Sequence, residues 1–388
     1  MKKISILGIG ETKMGRLADR SLRDLIKEAG TKAIEDAGIE KERIQAVYMG
    51  NFNSQFLTGQ GHMGPMVSEA LGLGNVPTVR TEGACASGSL ALRMAIMAVS
   101  AGEYDVVLVG GAEKMTHQPT ETVTTGIASA MDFELEAMQG FTFPACFAMI
   151  ANRYFYEYRN VKKEMGMVAY NAHQNALLNP DAQMQKDFSL EKILSADPIA
   201  SPLSLFDCSL VTDGAAFIVI ANADVADSIA TKHRRVDIIA SGHAGDSLTL
   251  ASKASITSFG AAKAAAAQAY AQAGLKPADI DLAEVHDCFT ITQIINTEDL
   301  GFFEPGKGGD AVAEGLTALH GAKPINTSGG LKAKGHPIGG TGISQIFELV
   351  TQLRGDAGER QIRKADIGLA HNLGGTAATC VITILKGR

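Results

Sequence analysis

Cys85 sits in Glu82-Gly83-Ala84-Cys85-Ala86-Ser87-Gly88-Ser89, immediately ahead of Ala91 to Val99, a run rich in strong helix formers and free of Gly and Pro. Small residues on both sides leave a ligand room to reach the sulfur. A helix N-terminus behind it offers unpaired N–H groups and a partial positive charge, which lower a thiol's pKa. The pattern predicts a nucleophilic thiolate. The competing reading is a buried cysteine in a strand-to-helix turn, packed as a small hydrophobe.

A thiolate at neutral pH needs a base. Asn326-Thr327-Ser328-Gly329-Gly330 leads into Gly335-His336-Pro337-Ile338-Gly339-Gly340-Thr341-Gly342, where glycines and a proline leave the His336 imidazole little cover and free to point into a cleft. His286-Asp287-Cys288-Phe289 follows a strand pattern, Leu282 to Val285, and puts an imidazole and a second thiol on one side if the chain stays extended. The bland alternative is a loop with a polar histidine and a packed cysteine. Leu369-Ala370-His371-Asn372-Leu373-Gly374-Gly375-Thr376 ends another strand pattern. Its glycine pair either presents backbone N–H groups or forms a plain turn.

Two glycine patterns imitate nucleotide sites and fail on chemistry. Gly8-Ile9-Gly10-Glu11-Thr12-Lys13 has Lys13 where a dinucleotide fingerprint needs a small residue for helix–strand contact. Gly330-Leu331-Lys332-Ala333-Lys334-Gly335 continues into His336-Pro337, so it lacks the lysine and hydroxyl that hold phosphates and Mg²⁺.

The elements that must position these residues occur twice. Ala37-Gly38-Ile39 and Ala273-Gly274-Leu275 each end an alanine-rich helix (Ser21 to Ala37, Ala261 to Ala273) with a C-cap glycine. Each leads to a short strand, Ala46 to Met49 or Leu282 to Val285. Further on, Arg80-Thr81-Glu82-Gly83 parallels Asn326-Thr327-Ser328-Gly329, and Asp105 to Gly111 parallels Asp366 to Asn372. Three matches in the same order predict two similar α/β halves, each a mostly buried sheet flanked by helices. That duplication pairs the Cys85 loop with the His336 loop and brings both to a common centre. Between Thr116 and Phe206 the pattern breaks into Met- and aromatic-rich helical segments, such as Phe141-Thr142-Phe143-Pro144 and Met165 to Leu178, before Asp213 to Ile220 resumes the first half as a buried strand.

Composition excludes several function classes. At 388 residues with 46% hydrophobic and 20% charged residues, the chain is globular rather than disordered. No run of about 18 apolar residues stands out, and Met1-Lys2-Lys3-Ile4-Ser5-Ile6-Leu7 reads as a strand, which implies a soluble cytoplasmic protein without a membrane partner. A net charge of -7 without a basic run argues against nucleic acid. Five cysteines with no C-x-x-C fit neither a disulfide framework nor a zinc site, so reduced thiols and no metal are expected.

On the Cys85 loop, the Gly335-His336-Pro337 loop and the Gly374-Gly375 element, the whole chain resembles the thiolases. Commoner bacterial thiolases carry Asn-Glu-Ala-Phe at His286-Asp287-Cys288-Phe289 and Cys-x-Gly at Asn372-Leu373-Gly374. Both departures resemble the sterol-carrier-protein-type and archaeal branch, in which the acid/base cysteine has moved into the His-Asp-Cys-Phe motif. The resemblance implies thiolase-like duplicated α/β halves packed as five layers (αβαβα) with an inserted loop domain. The expected bounds are 1–115 plus 207–235 for the N-terminal half, 116–206 for the loop domain and 236–388 for the C-terminal half.

It further implies cleavage of a 3-oxoacyl-CoA by CoA, or the reverse Claisen condensation, through an acyl-Cys85 intermediate. Cys85, His286, Cys288 and His336 would be catalytic, and the backbone N–H groups of Cys85 and Gly374 would form an oxyanion hole. His173 and Ser241 are weaker expectations as CoA contacts, and Cys380 reads as core. No permanently bound cofactor is expected, with coenzyme A and acyl-CoA as substrates. A homodimer or dimer of dimers is implied, and a small zinc-ribbon/OB-fold partner subunit is compatible. Three alternatives remain open: a subunit for a bulky or aromatic (benzoylsuccinyl-CoA-like) 3-oxoacyl-CoA, a decarboxylating ketosynthase-like condensing enzyme, and a non-catalytic scaffold subunit.

Overall fold

In the computed structural model, which describes residues 3–231 and 233–388, the chain runs through the same series of elements twice. Met1 and Lys2, the start of the expected N-terminal strand, lie outside the described residues. The first series is β1 (Ile4–Glu11), α1 (Leu22–Ala37), β2 (Ala46–Gly50), α2 (Ser54–Thr58), α3 (Met63–Leu71), β3 (Thr78–Thr81), α4 (Ser87–Ala101) and β4 (Val106–Glu113). The chain then leaves the sheet through α5 (Thr120–Ala128), α6 (Phe143–Glu157), α7 (Lys162–Leu177), α8 (Leu190–Leu194) and a hairpin of β5 (Pro198–Ala200) and β6 (Leu203–Ser204). It returns as β7 (Gly214–Asn222) and α9 (Ala223–Ser228). The second series is β8 (Val236–Gly245), α10 (Gly260–Ala273), β9 (Leu282–Val285), α11 (Thr290–Asp299), α12 (Gly308–Ala313), α13 (Thr341–Arg354), β10 (Ile367–Gly374) and β11 (Thr379–Gly387).

Pairing bears out the duplication strand by strand. The order is β3-β2-β4-β7-β1-β8-β11-β10-β9, one list read outward in both directions from its middle. β2 lies parallel to β3 and β4, as β9 lies parallel to β10 and, through a single bridge from Ala283, to Ile325. β4, β7 and β1 then pair antiparallel, as do β10, β11 and β8. Within the sheet the halves meet along a short antiparallel seam, Ile4 to Ile238 through Ile6 to Val236. The two helices expected to match end in left-handed Gly38 (φ 63°) and Gly274 (φ 66°), where a side chain would be strained.

Period-two alternation along the buried strands produces the layers. Val107 and Val109 of β4 and Ile218 and Ile220 of β7 face a core shared with Leu92 and Ile96 of α4, Ile343, Ile346 and Leu349 of α13, and Leu282 and Leu385 of the other half. Their neighbours Val106, Leu108, Phe217 and Val219 face outward against α1 and α3. On the far side, Ala240, Val285, Leu369 and Ile384 pack beneath α10 and α11. The result is αβαβα, with α4 and α13 as the central layer. Each fully buried Leu or Ile there contributes roughly 1.5–3 kcal/mol.

With its preceding turn, α4 forms an 18-residue helical stretch, Ala84–Ala101, of mean hydropathy 1.5, long and apolar enough by length and composition to cross a membrane. The sequence reading passed over it; its place between two sheets accounts for its apolar character. Bare glycines then let the central helices start side by side. A Cβ on Gly88 would stand 2.8 Å from the Gly339 carbonyl, and one on Gly342 would stand 2.6 Å from the Ser89 nitrogen. This close approach places the Cys85 turn against the His336 loop.

Candidate active site

Cys85 occupies a single 3₁₀ turn, Ala84–Ala86, that feeds directly into α4. Ala84 has φ 51°, a left-handed conformation that costs an alanine about 1–3 kcal/mol. Its neighbours hold it there: Glu82 accepts the Ala84 N–H at 2.6 Å, and Ser87 Oγ donates to the Ala84 carbonyl at 2.6 Å while accepting the Gly83 N–H at 3.0 Å. No side chain caps α4; the turn runs straight into it, and the Ser87 N–H donates to the Ala84 carbonyl.

His336 lies between a single π-helical turn, Gly330–Lys334, and the start of α13. Its backbone N–H donates to Thr212 Oγ at 2.9 Å, and Nδ1 sits 2.6 Å from Thr341 Oγ. The Thr341 hydroxyl gives its single hydrogen to the Pro337 carbonyl at 3.1 Å, so it receives the Nδ1 proton and leaves a lone pair on Nε2. That is the tautomer of a base.

His286 and Cys288 leave the end of β9 as expected. The donor atoms of Cys85, His286 and His336 all lie within 4.8 Å of one another, and the two imidazoles meet edge to face with centroids 5.2 Å apart. Cys288 lines the same cavity, where a charge on Cys85 would raise its pKa further. Its Sγ lies 3.7 Å from Thr292 Oγ. Asp287 turns away and accepts the Leu331 N–H at 2.8 Å, tying this motif to the π-turn before His336.

Burial governs the electrostatics. It pushes the Cys85 thiol up to about 12, despite an N–H from Gly375 directed at the sulfur, and lifts Cys288 well above the ordinary thiol range. It holds His336 near 3 and His286 well below the usual imidazole range, the latter aided by neighbouring His336 and His371. This runs against the lowering expected from the helix N-terminus: desolvation is the leading cause and outweighs the Gly375 N–H. The resting pair is a neutral thiol beside a neutral imidazole, and charge forms only as the proton moves.

The cavity, about 190 Å³, is lined by Cys85, His286, Cys288 and His336 together with the apolar side chains of Met115, Ile127, Phe143, Phe147 and Phe289. Phe147 of α6 stacks on Phe289 with centroids 4.5 Å apart. The Met- and aromatic-rich excursion therefore supplies one wall.

Several expected residues lie elsewhere. His173 is buried on α7 against Phe188 and Phe206, at 5.0 and 5.5 Å, and held near 4 by burial. Ser241 lies within β8, which runs on to Gly245 rather than ending there, and Arg93 donates to its carbonyl. Neither lines this cavity; Ser241 opens instead on a separate pocket with Arg93, Met97 and Gln268. Gly374 packs against the Gly83 carbonyl, and the next residue, Gly375, lines the cavity and faces the sulfur. Cys380 is buried in β11, as expected.

Sequence reasoning missed two supports. Glu113, ending β4, accepts the N–H groups of Phe52 (2.9 Å), Asn53 (3.2 Å) and Gly339 (3.0 Å), pinning the His336 loop to the exit of β2. The segment 208–212 straps both motifs: Cys208 bridges Phe289, Ser209 donates to the Cys288 carbonyl at 2.9 Å, and Val211 bridges His336. The only signal in the sequence was an acidic residue after an apolar strand and a thiol before one.

Two family profiles match the chain, one described as "Thiolase, N-terminal domain" over residues 4–224 and one as "Thiolase C-terminal domain-like" over residues 242–387. A protein of Methanothermobacter thermautotrophicus named acetyl-CoA acetyltransferase is 45% identical over 386 residues, covering 100% of both chains. Sterol carrier protein 2 of Bos taurus is 32% identical over 396 residues, which span 99% of this chain and 72% of that protein. Among solved structures, one titled Ltp2-ChsH2(DUF35) aldolase superposes with a TM-score of 0.85 at 26% identity, over 99% of this chain and 98% of the other. The Acat5 thiolase from Ascaris suum in complex with coenzyme A superposes with a TM-score of 0.76 at 18% identity over 100% of both chains, a likeness of fold.

Proposed function

We propose, from the premise that the chain belongs to the thiolase family and is an acyltransferase, that it makes and breaks the C2–C3 bond of a short 3-oxoacyl-CoA through an acyl-Cys85 intermediate. The observation that carries this reading is the meeting of two thiols and two imidazoles in one apolar cavity.

In the cleavage direction His336 Nε2 takes the Cys85 proton as the sulfur attacks the 3-keto carbon. The alkoxide collapses, the C2–C3 bond breaks, and its electron pair leaves as a thioester enolate. The enolate oxygen meets the Nε2–H of the new His336 imidazolium and the His286 imidazole, each such donor being worth on the order of 3 kcal/mol. Cys288 protonates C2, and acetyl-CoA departs. The Cys288 thiolate then deprotonates incoming CoA, which attacks the acyl-Cys85 thioester. The oxyanion formed there faces backbone N–H groups at Cys85 and the Gly374-Gly375 turn. Cys85 leaves as a thiolate and recovers its proton from His336, which balances the cycle. Condensation is the same path reversed.

A short acyl group is supported by relatives named acetyl-CoA acetyltransferase at 45% and 44% identity and by the Phe147–Phe289 stack in the cavity wall. A decarboxylating condensing enzyme would need both histidines but not Cys288, and a scaffold subunit would need none of the four. A second reading, a bulkier 3-oxoacyl-CoA handled with a small partner subunit, is favoured by the superposition on the Ltp2-ChsH2 aldolase. A dimer or dimer of dimers fits the family. Thiolysis rates with acetoacetyl-CoA, long-chain and aromatic 3-oxoacyl-CoAs, with and without co-purifying proteins, test the choice; a clear preference for the aromatic substrate would overturn the short-chain reading.

A further inference from the structure

Three contacts grip His286. Its carbonyl accepts from Asn296 Nδ2 at 2.9 Å, its N–H donates to His371 Nδ1 at 3.3 Å, and its own Nδ1 receives Asn372 Nδ2 at 3.1 Å. His371 and Asn372 lie within β10, whose parallel register sets His371 beside Val285. Among the described residues, His286 Nε2 and Asn372 Oδ1 are both buried without a hydrogen-bond partner. Asn372 is closely fitted: a Cβ on Gly342 would stand 2.5 Å from its Oδ1, so only glycine there leaves room for this amide.

We propose that Asn372 is a positioning residue that fixes the proton of His286 on Nε2, so that two imidazoles within 4.8 Å of Cys85 face the cavity with opposite roles, His336 as lone-pair base and His286 as hydrogen-bond donor. An amide nitrogen can only donate, so the nitrogen it meets is the one without hydrogen, and the other must carry it. His371 supports this by remaining neutral, held near 3 by burial, so that its Nδ1 can accept the His286 backbone N–H. Without the clamp both Nε2 atoms could present lone pairs, and an enolate would face repulsion where it needs a donor. With Nε2 of His286 protonated, the Cys85–His286–His336 trio is also not a preformed metal site. The departure from Cys-x-Gly to Asn372-Leu373-Gly374 thereby acquires a role: with the acid/base thiol supplied by Cys288, the vacated position serves the histidine beside it.

The inference rests on the reading that the cavity stabilises an enolate, and its test separates the two. Nitrogen NMR of the unaltered protein with labelled histidine, with His286 assigned by its loss in His286→Asn, reports which ring nitrogen carries the hydrogen. We expect Nε2; a hydrogen on Nδ1 overturns the proposal whether or not any variant folds. Asn372→Asp, of the same shape but only accepting, should move the hydrogen to Nδ1 at alkaline pH. Exchange of the acetyl-CoA α-protons should then fall about 10²–10³-fold, the usual effect of losing one oxyanion donor, while acetyl transfer to Cys85 continues. Equal loss of both steps, or exchange unchanged in that variant, overturns it. Failure of the unaltered protein to accept an acetyl group would instead strike the thiolase reading.

Discussion

The imidazoles of His286 and His336 meet edge to face, their centroids 5.2 Å apart and their planes at 81°, although one follows a strand of the sheet and the other precedes the central helix α13. That meeting is a product of the duplicated fold. Both Cys85 and His336 stand ahead of the paired central helices, and His286 descends from β9, the last strand in the sheet's order. The consequences can be measured one at a time.

Cys288→Ala should still take an acetyl group onto Cys85 but lose exchange of the acetyl-CoA α-protons. Intact-protein mass spectrometry follows the first and proton NMR in deuterated buffer the second. Removing a positioned acid/base commonly costs 10²–10⁴-fold. Unchanged exchange would take the acid/base role from this thiol.

Phe147→Ala removes one ring of the stack in the cavity wall. Thiolysis should shift toward longer 3-oxoacyl-CoAs, and the protein should lose about 3–5 kcal/mol to the void. A substrate panel with a denaturant titration reads both. A chain-length preference identical to the parent would show that this wall does not set specificity.

Glu113→Ala leaves the Phe52, Asn53 and Gly339 N–H groups without their acceptor, at about 1–3 kcal/mol for each that stays buried and unpaired. Because Gly339 belongs to the His336 loop, kcat should fall along with the melting temperature. A variant equally stable and equally active would contradict the clamp.

His173 gives a pH signature free of catalysis. Its folded pKa, near 4, lies below the ordinary 6.5, so the stability it contributes is present above 6.5 and lost as pH falls through 4. His173→Phe should therefore gain on the parent as the solution is acidified across that window, by up to about 3 kcal/mol, and then stay level. Urea midpoints of both proteins at a series of pH values test this. A gap that does not change with pH would mean that this imidazole titrates in the fold as it does in the unfolded chain.

Much of this was legible before any coordinates. The duplication could be read because each half must cap its helix with a left-handed glycine and run its strands in the same order, as Gly38 and Gly274 do. Cys85 and His336 could be paired through the duplication of their glycine-flanked loops, while the roles of His286 and Cys288 came with the resemblance to the thiolases. The strap at 208–212 could not, because backbone pairing between distant segments requires no particular side chain. Nor could the direction of the Cys85 shift. A helix N-terminus is visible in a sequence, but the mass packed around a sulfur is a property of the assembled layers, and here burial is the leading cause of the shift. Nor could the surroundings of His173 and Ser241 be read, because a histidine on a helix and a serine on a strand look alike whether they pack against Phe188 and Phe206 or open on a pocket beside Arg93.

The most direct test of the account is acetyl transfer from acetyl-CoA to the unaltered protein, quenched in acid, digested and mapped by mass spectrometry. The account expects one acetyl group per chain on the peptide bearing Cys85, released as acetyl-CoA when free CoA is added. An acetyl group on Cys288 instead, or none on any cysteine, would contradict it.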